Sequence, residues 1–153
     1  MSDDIKKAQF SVQNSNLNVS MPIAKVDKER RIVSGFATLD NVDRQGDVVP
    51  AEASVRAFKG FAGNIREQHD STKAVGKMIE FKEDMYYDEE TETMFNGVYV
   101  SAYVSKGAED TWQKVLDGTL TGFSIAGEIT EDDTIYDASL EKNIRIIKDY
   151  SLS

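Results

Sequence analysis

The stretch AVGKMIEFKEDMYYDEETETMFNGVYVSAYV, residues 74–104, contains two runs in which apolar residues alternate with polar or small ones. Alternation with a period of two places successive side chains on opposite faces of a β-strand. The segment between the runs, EETET at residues 89–93, has no apolar residue and predicts a turn. The whole stretch therefore predicts a long antiparallel hairpin, the basis of a β-rich fold.

Shorter alternating runs on both sides of this hairpin predict further strands. LNVSMPIAKVD (17–27) and RIVSGFATLD (31–40) predict a first hairpin. LTGFSIAGEI (120–129) and NIRIIKDYSLS (143–153) predict two more strands, and the segment between them, 130–141, is expected to be an acidic loop.

Two segments have apolar residues at helical spacing instead. One predicts a short helix over about residues 51–61, and the other predicts a helix within residues 106–119. In the second, Glu109 and Asp110 suit a helix N-terminus and Gly118 suits its end. Strands in long hairpins with two helices predict a mostly β, α+β fold, an antiparallel sheet or small barrel with flanking helices.

The composition indicates one folded domain. The 153 residues are 40% hydrophobic, and we expect a domain over 17–153 after a mobile N-terminal arm over 1–16. The chain has no cysteine, which excludes disulfides, thiolate zinc sites and cysteine nucleophiles. A net charge of −9 argues against nucleic-acid partners, and no apolar run approaches the length of a membrane span. We therefore expect a soluble, intracellular protein.

His69 is the only histidine in the chain. Without cysteine, acyl transfer needs a hydroxyl nucleophile and a base, so His69 is the sole candidate for a histidine base. A lone histidine between Gln68 and Asp70 is more often a hydrogen-bonded surface residue, and that alternative stays open.

Three carboxylates in DNVDRQGD, residues 40–47, raise the question of a metal. Asp40, Asp43 and Asp47 would suit Ca²⁺ or Mg²⁺. The stretch lacks the twelve-residue spacing and terminal glutamate of a calcium loop, so we interpret it as a polar loop. No metal or cofactor is expected.

Ser124 lies in a strand-like run between Gly122 and Gly127. Glycines around a hydroxyl let a substrate backbone approach and leave N–H groups to face an oxyanion. The spacing is not the G-x-S-x-G of hydrolase folds, so an incidental serine is the commoner interpretation. For the acid that orients the base, Asp149 and Glu128 are candidates, and either could be an ordinary outward-facing residue.

Three blocks of sequence, in order, resemble the prohead, or capsid maturation, serine proteases of tailed bacteriophages. They are the His-Asp followed by Val-Gly-Lys at 69–77, the Gly-Phe-Ser-Ile at 122–125 and the Asp-Tyr-Ser-Leu at 149–152. The resemblance extends from about residue 32 to the end. It implies an antiparallel, seven-stranded barrel-like sheet with flanking helices, similar to the herpesvirus assembly proteases.

The resemblance also implies an activity and a site. Ser124 would be the nucleophile, His69 the general base and Asp149 the orienting carboxylate of a serine endopeptidase. Its substrates would be scaffold protein and major capsid protein inside the immature capsid, in the host cytoplasm, and the enzyme itself. From the charge and the hydropathy, no nucleic-acid or membrane partner is expected, and a homodimer stays open. Because the family pattern continues past the Ser-Leu block, a truncated C-terminus at Ser153 is expected.

A non-enzymatic alternative stays open beside this one. The chain could be a β-rich virion module, structural or scaffold-binding, in which Ser124 and His69 have no chemical role.

Overall fold

The computed structural model describes residues 15–43, 45–61, 63–67 and 72–153. Most of the predicted N-terminal arm lies outside these residues. Asn16, the last residue of that arm, already belongs to the first strand.

The described residues form nine strands and two helices. The strands are β1 (Asn16–Pro22), β2 (Lys25–Asp27), β3 (Ile32–Leu39), β4 (Asp47–Val48), β5 (Ile65–Arg66), β6 (Ala74–Asp88), β7 (Thr93–Val104), β8 (Gly122–Asp137) and β9 (Lys142–Leu152). The helices are α1 (Ala51–Lys59) and α2 (Glu109–Leu116). Both predicted helices and the long β6–β7 hairpin are therefore confirmed. Within the described part of the chain, neither helix has the length and apolar character to cross a bilayer.

The strands lie in two sheets. One has four strands in the order β1-β8-β9-β4, and the other has five in the order β2-β3-β7-β6-β5. Every pairing is antiparallel except β4 with β9, which is parallel. The mostly β prediction with flanking helices is confirmed, but the described strands do not form the expected single seven-stranded antiparallel barrel.

The predicted first hairpin is confirmed only next to its turn, where residues 25–27 pair with residues 32–34. β3 pairs with the short β2, whereas β1 pairs with β8 in the other sheet. The chain changes sheets after Pro22: the N–H of Ile23 donates to the Thr121 carbonyl, and the N–H of Ala24 donates to the Ser34 carbonyl. Proline has no N–H to continue a ladder, so the crossing occurs where pairing is weakest. Alternation predicts a strand but does not say which strand it pairs with.

The β2–β3, β6–β7 and β8–β9 hairpins have the same kind of turn. In each, an aspartate ends the first strand and its Oδ1 accepts a backbone N–H from within the turn. The fourth residue after that aspartate has a positive φ, which is uncommon outside glycine. The aspartates are Asp27, Asp88 and Asp137, and the positive-φ residues are Arg31, Glu92 and Glu141.

The expected acidic loop over 130–141 is mostly strand. β8 stays paired with β9 as far as Asp137 opposite Lys142, so only residues 138–141 form the turn. Asp132 remains in the ladder because its carboxylate accepts a hydrogen bond from Arg145 on the neighbouring strand. This pairing of opposite charges across neighbouring strands stabilises a strand where the polar composition predicted a loop.

Helix α1 fixes the position of β9. The Tyr150 hydroxyl donates to Ser54 Oγ at 2.8 Å, and both residues are buried. Burial raises the pKa of Tyr150 to about 12, so the phenol is a neutral donor at physiological pH. Arg56 Nη2 donates to the Lys148 carbonyl at 2.6 Å. These two contacts set the last part of β9 against the helix.

Helix α2 packs through a single large side chain. Trp112 is buried and the guanidinium of Arg31 lies over its ring, 4.9 Å from the centroid. Leu116, at the end of the same helix, remains 40% exposed. Gly118 follows the helix with φ of +80°, as expected for the residue that ends it.

Candidate active site

Ser124 is an exposed residue near the start of β8. Its direct partner across the sheet is Ser20 on the edge strand β1. The neighbours Phe123 and Ile125 pack against the hydrophobic core, whereas Ser124 between them is exposed.

Residues 122–126 line one side of a cleft of about 230 Å³ between the two sheets. Most of the lining is apolar, with Ser124, Asn64, Arg66 and Ser153 as its polar members. A mostly apolar cleft with a few polar groups is the usual form of a ligand site.

His69, the predicted base, lies outside the described residues, as do its neighbours Gln68 and Asp70. The described chain just before it contributes to the cleft. Residues 64–66, which include β5, line the same cavity as Ser124.

The Asp149 carboxylate forms an ion pair and accepts a hydrogen bond. Its Oδ1 lies 3.6 Å from Arg56 Nε, and Thr130 Oγ1 donates to its Oδ2 at 3.4 Å. The register between β8 and β9 shifts on both sides of the pair Asp149–Glu131. Among the described residues, Asp149 lines a separate depression beside α1 rather than the Ser124 cleft.

Glu128, the second candidate for the acid, is exposed and lies opposite Ser151 on β9. Like Asp149, it is not among the described residues that line the cleft. Of the candidates in the described part of the chain, the structure thus places only Ser124 at the cleft.

The two glycines near Ser124 have a packing role that the sequence did not reveal. A Cβ on Gly122 would lie 2.8 Å from the Met21 carbonyl oxygen on β1. A Cβ on Gly127 would overlap the Ser151 carbonyl oxygen on β9. Both positions therefore need glycine where neighbouring strands approach closely.

A buried carboxylate next to the His69 segment has no counterpart among the sequence predictions. Glu67 is 7% exposed, and its side chain accepts hydrogen bonds from Lys114 at 2.9 Å and Lys73 at 3.0 Å. Thr111 Oγ1 donates to it at 3.4 Å. Hydrogen bonds from Lys114 and Lys73 lower the pKa of Glu67 below its ordinary value. Its partners are scattered along the sequence, so no local pattern could have indicated this cluster.

Glu67→Gln is expected to lower the free energy of unfolding by about 2 kcal/mol at pH 7, because it weakens two charged hydrogen bonds to a buried group. Since the folded-state pKa is depressed, the contribution is complete above the ordinary glutamate pKa of about 4.3 and is lost as pH falls through the folded value. Urea unfolding of both proteins over a pH series measures this. The two curves should converge in acid.

Glu109→Gln is the matched control. Glu109 lies on α2 and accepts hydrogen bonds from Arg31 and Gln113, but its side chain is 58% exposed. The Glu109→Gln variant should therefore lower the free energy of unfolding less than Glu67→Gln does. An equal loss in both variants, or a Glu67 effect that does not change with pH, would contradict the assignment.

In the acidic stretch 40–47, hydrogen bonds to the Asp43 carboxylate hold the chain in a loop. Asp43 Oδ1 accepts the backbone N–H groups of Gln45 and Asp47, each at 2.9 Å. Burial, followed by repulsion from Asp43, raises the pKa of Asp47. The described residues contain no group of three or more His, Asp or Glu side chains arranged to hold a metal ion.

An exposed serine at the rim of an apolar cleft, on a β-rich scaffold, is an arrangement that suits a serine hydrolase. The comparison with known families agrees. The family described as "Putative phage serine protease XkdF" matches residues 18–133, and the chain belongs to this family. The resemblance to phage serine proteases is thereby confirmed. The matched residues include His69 and Ser124, whereas Asp149 lies beyond them.

One curated relative is the Bacillus subtilis (strain 168) protein described as "Uncharacterized protein YqbD". It is 33% identical over 110 residues, which cover 69% of this chain and 34% of that protein. The chain thus spans about a third of the length of that relative. No solved structure gives a significant match.

Proposed function

We propose that the protein is a serine endopeptidase that cleaves scaffold and capsid-protein segments during phage prohead maturation. The observation that carries the proposal is that the family match includes both His69 and Ser124, with Ser124 at a cleft. The position of residues 64–66 in the same cleft supports a partnership, because Arg66 precedes His69 by only three residues in the sequence.

In the proposed mechanism, Ser124 Oγ attacks the scissile carbonyl carbon while His69 takes the hydroxyl proton. The tetrahedral intermediate collapses, the C–N bond breaks, and His69 gives the proton to the departing amine. A water molecule, deprotonated by His69, then attacks the acyl-enzyme ester. Ser124 leaves with the returned proton, and the carboxylic acid product is released.

Asp149 is proposed as the residue that orients His69, with Glu128 as the rival. Asp149→Asn should lower kcat for peptide cleavage by at least about 100-fold while the melting temperature changes little, because an amide favours the wrong imidazole tautomer. Glu131→Gln is the control, since Glu131 pairs directly with Asp149 and is exposed. Steady-state kinetics and thermal unfolding of these variants and Glu128→Gln measure both quantities.

The ion pair with Arg56 defines the competing outcome. If Asp149 only anchors β9 to α1, Arg56→Gln and Asp149→Asn will lower stability together and leave kcat of the folded enzyme unchanged. A large loss of kcat in Glu128→Gln alone would move the orienting role to Glu128.

The proposed substrates are scaffold protein, the major capsid protein and the enzyme itself, inside the immature capsid in the host cytoplasm. Co-expression of the protein with the scaffold and capsid proteins of its phage tests this. Mass spectrometry of the new termini should show cuts in scaffold that disappear with Ser124→Ala. Intact scaffold and capsid protein beside the wild-type protein would favour a non-catalytic virion or scaffold-binding module instead.

A further inference from the structure

The cleft beside Ser124 has an apolar interior whose two walls come from different sheets. The five-stranded sheet contributes Ala37, Met78, Val100 and Ala102. Phe123, Ile125 and Leu152 come from the four-stranded sheet. Met78 and Ala102 are direct cross-strand partners, so they present their side chains on the same face of the sheet.

Phe58 and Phe61, at the end of α1 and just after it, also line the cleft. Phe58 is 5% exposed and its ring packs against Phe81 with centroids 5.7 Å apart. The polar lining residue Ser124, by contrast, is exposed. The cavity therefore runs from a polar, accessible rim at the candidate nucleophile to an apolar interior.

The size of the cavity limits what can enter it. At about 230 Å³ it is smaller than the roughly 300–1,000 Å³ of typical small-molecule sites, and it suits one side chain of a longer ligand. Among the described lining residues, Arg66 has the only charged side chain and none has a carboxylate side chain. Because Arg66 is exposed, a charged side chain in the buried apolar interior would lose its hydration without a charged partner beside it.

We propose that this cleft is the specificity pocket of the enzyme, and that it accepts an apolar side chain adjoining the scissile bond of the substrate peptide. The proposal rests on the proposed function, since it takes Ser124 as the nucleophile. Met78 is the residue that sets the depth of the pocket, because it is a long, half-buried side chain opposite the small Ala102. Substrates are thereby restricted to segments with leucine, methionine or phenylalanine next to the cut.

A peptide library made from a digested proteome tests the proposal, because it offers every residue type on both sides of the cut. The wild-type protein is incubated with the library, and mass spectrometry identifies the residues that flank each cleaved bond. At one position next to the cut, leucine, methionine and phenylalanine should exceed aspartate and lysine by at least about tenfold relative to their library frequencies. Cuts that require Ser124 but show no apolar preference at either adjoining position would overturn the proposal.

Met78→Ala then tests the depth of the pocket, with Met85→Ala as the matched control. Met85 lies on the same strand β6, is 56% exposed and does not line the cleft. Met78→Ala should shift the preferred residue by at least about threefold toward phenylalanine and tryptophan, whereas Met85→Ala should keep the wild-type profile. An unchanged profile in a folded Met78→Ala protein would contradict the assignment of Met78.

The failure of this inference and the failure of the proposed function give different results. A fluorophosphonate probe has no peptide side chain, so its reaction with Ser124 reports the nucleophile alone. A labelled Ser124 with no apolar preference removes the specificity pocket and keeps the peptidase. An unlabelled Ser124, together with no cuts in the library, removes both.

Discussion

Ser124→Ala is expected to lower kcat/KM for scaffold cleavage by at least about 1,000-fold, because the variant lacks the hydroxyl that we propose forms the acyl-enzyme. The thermal stability should hardly change, since Ser124 is exposed. The measurement is digestion of purified scaffold protein by wild type and variant at equal concentration, with labelling by a fluorophosphonate probe. The probe should mark Ser124 in the wild type only.

Ser20→Ala is the matched control for this experiment. Ser20 is an exposed serine directly opposite Ser124 on β1, so it shares the chemical type, the sheet face and the exposure of the candidate nucleophile. Its removal should leave cleavage and labelling within about twofold of wild type. Cleavage by Ser124→Ala at the wild-type rate would refute a serine peptidase based on this residue.

Gly127→Ala is expected to lower the free energy of unfolding by about 3 kcal/mol, which is the largest stability effect that we expect. The new Cβ would overlap the Ser151 carbonyl oxygen, so β9 must move away from β8 near Leu152, a residue that lines the cleft. Cleavage should fall together with stability. Urea unfolding and scaffold digestion at several temperatures measure the two effects.

Gly107→Ala is the control for a glycine substitution as such. A Cβ at Gly107 would meet only Ser105 Oγ, at 3.5 Å, which is an ordinary contact. This variant should keep wild-type stability within about 0.5 kcal/mol. If Gly127→Ala instead kept full stability and lost activity, the glycine would serve the substrate or an oxyanion, as its place near Ser124 in the sequence suggests, rather than strand packing.

Local patterns predicted the elements of this protein well. The alternation in residues 74–104 predicted the β6–β7 hairpin, and the helical spacing of apolar residues predicted both helices, with Gly118 at the end of the second. These features depend on neighbours in the sequence, where side-chain direction and backbone preference act over a few residues.

Partnerships between distant strands could not be predicted in the same way. β1 has the alternation of a hairpin strand, yet it joins β8, about a hundred residues later in the chain, in the other sheet. Asp149 is a candidate orienting acid by its sequence context, and the structure gives it Arg56 and Thr130 as partners. Glu67 belongs to no local pattern, and the fold buries it between two lysines.

The sequence by itself determined that this is a β-rich chain without cysteine, in which any histidine base must be His69 and Ser124 has the sequence context of the phage serine proteases. Those conclusions follow from residue identity and short-range periodicity. The tertiary structure alone decided that Ser124 lies at an apolar cleft between two sheets, and that Gly122 and Gly127 are needed for strand packing. The physical reason is that clefts and close strand contacts depend on which distant segments meet, and that is decided by the packing of the whole core.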